Sequence, residues 1–417
     1  MRVFLSSLGC KLNQAESERF ARQLLARGHA VVGQLAEADV HVVNSCTVTS
    51  AAAAESRRAV RRSRREAPHV RTVLTGCYVS GSPAEAAALE EADLVVGNEG
   101  KEGLVDRVHQ AFGLPLPPEL PIPYCPLPVG RARATVKVGD GCDMRCAFCI
   151  IPITRGRETS RPLREVVAEV SGLVAGGYRE VVVTGVQISD WKEGNRRLYD
   201  LVSAVMGETA VPRLRLTSIA PWGFDRRLLS LFADRRLCRH LHLSLQSGAT
   251  STLRRMRRPY SAEAYRGLVE SIAAAVPGIG LTTDVIVGFP GETEEEHRLS
   301  RDFVAGLPLA KTHVFPYSSR PGTPAASFAG HLHGTEVRRR AAEMHQVAAQ
   351  VEQRFARSQM GETLEVLWET SEGNRWQGHA DNYLRVETEA GVQIRNTVTR
   401  TKIVGFTGRG AVGIKMY

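Results

Sequence analysis

The chain has 417 residues, 43% hydrophobic and 24% charged, a balance that excludes a disordered, fibrous or membrane-embedded class and leaves room for two or three domains. A net charge of +10 with a pI near 9.4 permits a polyanionic partner. The opening MRVFLSSLGCKLNQ has too short an apolar run for a signal peptide, and no stretch approaches a membrane span. The expectation is a cytoplasmic enzyme without membrane contact, whose eight cysteines are metal ligands or buried residues rather than disulfides.

In chain order, the runs RVFLSS, DVHVVNS, VRTVLTG and DLVVG alternate with helical stretches over 1–113. That alternation predicts a parallel sheet with crossover helices, an α/β domain. The segment 114–130 holds seven of the twenty prolines within LPLPPELPIPYCPLP and reads as a semi-rigid linker. From 131 to 357 the alternation resumes six times, through ATVKV, EVVVTG, RLRLTS, HLHLSLQ, LTTDVIVGF and KTHVFPY. Helices are predicted to open at Ser160-Arg-Pro and at the capping box Thr293 to Glu296, and a long one closes the region at about 335–357. Six β/α units predict a partial barrel. Residues 358–417 read as short strands, LEVLWE, WQGHADNYLRVET, VQIRNTV, KIVGF and AVGIKMY, and predict a small β-barrel. Its acidic side chains all precede residue 390, so its second half presents basic groups alone. Two further basic runs, SRRAVRRSRRE (56–66) and RRMRRP (254–259), are nucleic-acid candidates, the alternative being solvated faces.

GCDMRCAFCIIP places Cys142, Cys146 and Cys149 in C-x3-C-x2-C spacing, just past the first strand of the central region. Zinc needs a closed set of four ligands, and the next cysteine, Cys238, lies 89 residues on. A four-iron cluster held by three thiolates fits better, because its fourth iron stays open for a ligand. Cys10, Cys46 and Cys77, in LGCKLNQ, VNSCTVT and LTGCY, each follow a predicted strand of the first sheet. Parallel strand ends lie side by side where open α/β sheets bind ligands, so these thiols converge on a second site of the same kind, unless they are merely buried. Cys125 in the linker and Cys238, placed at a helix end, lack such partners and read as structural.

C-x3-C-x2-C is the hallmark of radical S-adenosylmethionine enzymes, and VVTGVQ, LSLQSG and VGFPGE resemble that family's cofactor-binding segments. The resemblance implies cofactor contacts at Gly185, Gln187, Ser244, Gln246, Gly288 and Pro290, although the family usually carries His or Asn at Gln187. With the N-terminal triplet and a terminal barrel bearing HADNYLRV, the whole chain resembles the methylthiotransferases. Their plan implies an N-terminal methylthiotransferase domain (1–113), a radical-SAM domain (131–357) and an RNA-gripping TRAM domain (358–417). It further implies two 4Fe-4S clusters, S-adenosylmethionine as methyl donor and radical source, an electron donor and a sulfur source. Strings such as LGCKLNQAESE, GRETSRPL and HVFPYSSRPGTPAA resemble the branch that methylthiolates C2 of N6-threonylcarbamoyladenosine beside the tRNA anticodon. The isopentenyladenosine branch is the alternative, a ribosomal-protein aspartate a more distant one, and a non-catalytic iron–sulfur RNA-binding protein the reading from another class. Arg395, Arg400, Lys402 and Arg409 are expected to meet tRNA, with Tyr383 and Phe406 as stacking surfaces.

Overall fold

Strand β1 (Arg2–Ser7) runs into helix α1 (Lys11–Ala26), and β2 (Ala30–Val32), β3 (Val40–Ser45), helix α2 (Ser50–Glu66), β4 (Arg71–Gly76) and β5 (Leu94–Val96) follow in a computed structural model that describes residues 1–122, 124, 127, 131–408 and 410–416. The five strands form one parallel sheet in the order β2-β1-β3-β4-β5. The sequence reading missed β2, whose three residues are too short to show a period and owe their conformation to pairing with β1. β3 is buried along its whole length, as a strand covered on both faces must be. The order reverses between β1 and β3, the switch point where sheets of this topology open a crevice at their C-terminal ends.

The next strand, β6 (Arg133–Lys137), begins a series of parallel strands that includes Glu180–Thr184, Leu214–Leu216, Ser218–Ile219, His240–Leu243, Gly280–Val287 and Lys311–Pro316. One of the six predicted strands is broken at Thr217, which divides the partial barrel into adjoining three- and four-stranded sheets. Alternate residues Ala134, Val136, Val181, Val183, Leu241 and Leu243 face the helices and share one core, leaving Arg133, Thr135 and Lys137 for the other face of β6. The predicted capping box is present at Thr293 and Glu296, and the long helix spans Gly334–Ser358. α1 covers the edge of β6. There Glu18 accepts hydrogen bonds from Thr135 N at 3.0 Å and Thr135 Oγ1 at 2.7 Å, satisfying an edge that would otherwise be open.

The tail forms a closed five-stranded barrel from Thr363–Glu372, Arg375–Ala380, Arg385–Glu389, Val398–Thr407 and Gly410–Lys415. VQIRNTV is not the strand expected: the chain turns there, with Asn396 at φ 60°, and only Val398 enters a strand. The barrel docks at the N-terminal ends of the central strands. Arg213 donates to the carbonyls of Glu365 and His379, and Arg215 to those of Asp381 and Ala380, while Arg239 pairs with Asp381 at 2.6 Å. The described linker residues carry neither helix nor strand, and Cys125 and Arg409 lie outside the described residues. Among those described, no helix is long and apolar enough to cross a membrane.

Candidate active site

Register places the ends of β1, β3 and β4 together, with Ser7 opposite Asn44 and Ser45 opposite Gly76. The three N-terminal cysteines follow from these ends. Cys10 precedes α1, Cys46 is gripped through both its N–H and its carbonyl by Ser56 Oγ, and Cys77 opens the helix Cys77–Gly81. Two glycines permit the approach. A Cβ on Gly9, at φ 87°, would lie 2.4 Å from Cys46 Sγ, and one on Gly76, at φ 105°, would lie 2.6 Å from the Ser45 carbonyl. Asn13 Nδ2 ties the first two loops by donating to the carbonyls of Leu8 (2.7 Å) and Ser45 (2.8 Å). Burial, with Cys10 and Cys77 nearby, pushes the Cys46 thiol up to about 11.

The central triplet sits beyond β6. Gly141, at φ 65°, precedes it where a Cβ would overlap the Arg157 carbonyl. Cys142 N donates to the Gly156 carbonyl at 3.1 Å, and Ala147 N to that of Met256 at 3.0 Å. Burial beside Cys146 and Cys142 pushes Cys149 up to about 12. Arg258 donates to Cys146 Sγ at 3.3 Å, with its guanidinium over Phe148 and Trp222. RRMRRP is therefore partly internal: Arg258 serves this loop and Arg255 pairs with Glu296 at 2.5 Å. As placed, no three His, Cys, Asp or Glu side chains among the described residues frame a single ion.

One side chain ties the segment after the central triplet to the N-terminal cysteine site. Arg155, six residues after Cys149 and 1% exposed, ends the short helix Ile151–Arg155. Its Nε donates to Cys77 Sγ at 3.1 Å, Nη1 to Glu16 and Asp140 at 2.9 Å each, and Nη2 to Asn13 at 2.6 Å. Lys101 and Lys137 also bind Glu16, at 2.6 and 3.4 Å. Burial by itself would raise Glu16, yet Lys101 and Arg155 hold it well below the usual carboxylate range. Three cations thus face two carboxylates, with Cys77 Sγ beside Arg155. Sequence reasoning missed Arg155, Glu16, Asn13 and Lys101. Asn13 and Glu16 stood in LGCKLNQAESE, three and six residues past Cys10, which is helical spacing onto one face.

The expected cofactor segments occupy the same end of the barrel as Cys142. Gly185 and Gln187 follow Glu180–Thr184, and Gln187 Nε2 donates to Asp190 Oδ2 at 2.5 Å. Ser244 and Gln246 follow His240–Leu243; Gln246 has φ 72° and bonds Asp284 O and Ile286 N in the next strand. Gly288 and Pro290 follow Gly280–Val287, where Gly288 N donates to Glu292 Oε2 at 2.7 Å. Cys238 is fully buried, but in the connection before His240–Leu243 rather than on a helix.

At the opposite end the tail closes the barrel, and Tyr383 is not the free stacking surface expected. Held at φ 70°, it stacks between His240 (4.5 Å) and His379 (4.9 Å), with Arg215, Lys11 and Arg133 at 5.1, 5.3 and 5.7 Å from its ring centre. The α2 arginines are likewise not bare. Arg57, Arg58, Arg61, Arg62, Arg64 and Arg65 pair with Glu85, Glu55, Glu91, Glu66, Asp93 and Glu66. Arg395, Arg400 and Lys402 are exposed on the terminal barrel.

Residues 136–304 match the Radical SAM superfamily and residues 2–97 the Uncharacterized protein family UPF0004. The threonylcarbamoyladenosine tRNA methylthiotransferase MtaB of Chlamydia pneumoniae is 34% identical, over 98% of this chain and 97% of its own. The chain belongs to the radical-SAM methylthiotransferases. Membership makes it an enzyme, with a 4Fe-4S cluster and S-adenosylmethionine among its cofactors. MtaB of Bacillus subtilis is also 34% identical, over 96% of this chain and 93% of its own. The tRNA-2-methylthio-N(6)-dimethylallyladenosine synthase of Chloroflexus aurantiacus reaches 34% as well, over 90% and 83%. Among solved structures, the radical S-adenosylmethionine methyltransferase TsrM from Kitasatospora setae shares the fold, with a TM-score of 0.57 at 18% identity over 78% of this chain and 76% of that one.

Proposed function

We propose that this methylthiotransferase places a methylthio group on C2 of N6-threonylcarbamoyladenosine beside the anticodon of tRNA, acting in the cytoplasm. The observation that carries the reading is Arg155, which ties the helix after the central triplet to Cys77 of the N-terminal one, within a chain whose MtaB relatives align over nearly their full length. Both triplets fit a four-iron cluster better than a single ion. Each offers three sulfurs and, among the described residues, no fourth donor, in glycine-bounded loops, and a cluster is wide enough to need ligands farther apart than one ion would. Bound at Cys142, Cys146 and Cys149 with S-adenosylmethionine, and at Cys10, Cys46 and Cys77, such clusters supply radical formation and sulfur delivery at an unactivated carbon, given a reductant and a sulfur source.

The chain's own residues then have defined work. Gly185, Gln187, Ser244, Gln246, Gly288 and Pro290 line the mouth above Cys142 and seat S-adenosylmethionine. Arg258 and Arg155 each donate to a ligand sulfur, which fixes loop position and compensates its charge. α1 covers the open edge of the barrel and excludes water there. Arg395, Arg400 and Lys402 on the terminal barrel, with Arg409, meet the tRNA backbone. The decisive experiment is nucleoside mass spectrometry of tRNA from a strain lacking this gene. Loss of 2-methylthio-N6-threonylcarbamoyladenosine, restored by the parent gene and not by Cys46→Ala or Cys149→Ala, is expected. Loss of the methylthio-dimethylallyl nucleoside instead would assign the chain to the other tRNA branch.

A further inference from the structure

Lys11 directly follows Cys10, so its backbone belongs to the N-terminal cysteine site while its four-carbon stem carries the ammonium into the partial barrel. Lys11, Arg133 and Arg215 gather over the Tyr383 ring at 5.3, 5.7 and 5.1 Å, and Glu180, His240 and His313, from three further strands or their edges, lie within electrostatic reach of Lys11. The carboxylates in this region are engaged elsewhere. Glu180 binds Arg213 and Arg215, Glu369 binds Arg133 and His379, and Asp284 binds His242. Among the described residues Lys11 Nζ contacts the Tyr383 ring and makes no hydrogen bond or ion pair, and Arg133 Nη1 is buried without a partner. Lys11, Arg133, Arg213 and Arg215 therefore outnumber Glu180, Glu369 and Asp284 by four to three. A half-buried ammonium among other cations and without a carboxylate partner is unfavourable, so this end of the lumen suits an anion.

We infer that Lys11, supported by Arg133, binds the threonyl carboxylate of the modified adenosine and so selects it over a nucleoside with an apolar N6 substituent; this rests on the substrate reading above. Ring chemistry makes the placement reasonable. C2, which receives sulfur, and C6, which bears the N6 substituent, flank the same ring nitrogen. The substituent thus leaves the base along the edge that must face the sulfur-bearing cysteines, and Lys11 is the next residue after one of them. A dimethylallyl group there would leave the ammonium desolvated and unpaired, the situation in which polar sites discriminate most strongly.

The test uses anaerobically prepared, cluster-loaded protein at fixed salt. Dissociation constants are measured by fluorescence anisotropy for anticodon stem-loops carrying threonylcarbamoyladenosine, its threonine methyl ester, dimethylallyladenosine or plain adenosine. The parent should prefer the acid over the ester by roughly ten- to a hundredfold, the range for a hydrogen bond to a charged group. Lys11→Met should erase that preference while keeping parental iron content and parental affinity for the plain stem-loop, and Lys11→Arg should retain much of it. Lys11→Gln replaces the methionine variant if the latter loses iron. An acid-over-ester preference that survives loss of the ammonium overturns the inference. A parent that methylthiolates the dimethylallyl stem-loop and ignores the threonylcarbamoyl one overturns the substrate reading itself.

Discussion

Replacing Arg155 by methionine keeps the length of the side chain and removes its charge and all of its donors. The lost hydrogen bonds run to Cys77, Asn13, Glu16 and Asp140, from a guanidinium that is 1% exposed. Removing one partner of a buried ion pair costs about 3–5 kcal/mol, since the other charge stays buried. Lys101 still holds Glu16 at 2.6 Å and Lys137 still holds Asp140 at 2.6 Å, which places the expected loss near the low end, about 3 kcal/mol. The functional loss should be uneven, because the contacts to Cys77, Asn13 and Glu16 lead toward the N-terminal cysteines while Asp140 keeps Lys137. Two quantities are read side by side under anaerobic conditions: the unfolding midpoint in urea, and the ratio of methylthio product to 5′-deoxyadenosine released. Both should fall. Arg155→Lys should recover part of the stability and little of the ratio, because a single ammonium cannot reproduce the planar fork that reaches four partners. A methionine variant with the parental midpoint and the parental ratio would refute the coupling role.

Glu180→Gln leaves Arg213 and Arg215 buried at 2% and 0% without a counter-charge, so a loss of about 3–5 kcal/mol and faster tryptic release of the terminal barrel are expected. Burial holds His41 down to about 4 from an ordinary 6.5, so the unfolded chain takes up the proton first. Stability should therefore fall as pH drops from about 6.5 to about 4, by up to about 3 kcal/mol, and His41→Gln should flatten that slope in pH-resolved unfolding. Arg400→Glu with Lys402→Glu, both exposed on the strand Val398–Thr407, should weaken tRNA binding and make its salt dependence shallower by about two phosphate contacts. Unchanged affinity at low salt would move the RNA surface off the terminal barrel. Cys46→Ala and Cys149→Ala should each retain about half of the parental iron, and a variant that keeps all of it would discount its triplet.

Much of this protein was legible in one dimension because its decisive patterns are local. The spacing of Cys142, Cys146 and Cys149 lies within a single loop, and the strand runs that carry Gly185, Gln246 and Gly288 announce themselves by period and length. Even the convergence of Cys10, Cys46 and Cys77 followed from position, since each succeeds a strand and parallel strands end together. VQIRNTV shows where local pattern misleads: its apolar residues are strand-like, yet Asn396 turns the chain and Ile394 packs into the terminal core. Partners of long charged side chains were out of reach altogether. Arg155 meets Asn13 across 142 residues of sequence, Arg215 meets Asp381 across 166, and Tyr383 meets Lys11 from the far end of the chain. The six α2 arginines looked like a nucleic-acid face until packing brought Glu85, Glu91 and Asp93 beside them. Sequence by itself determined which residue types stand at which strand ends, because backbone periodicity and loop spacing are short-range. Only tertiary structure decided which charges are neutralised, which thiol receives a guanidinium and which ammonium is left unpaired, because those outcomes depend on a few ångströms of separation between segments that the chain order does not relate.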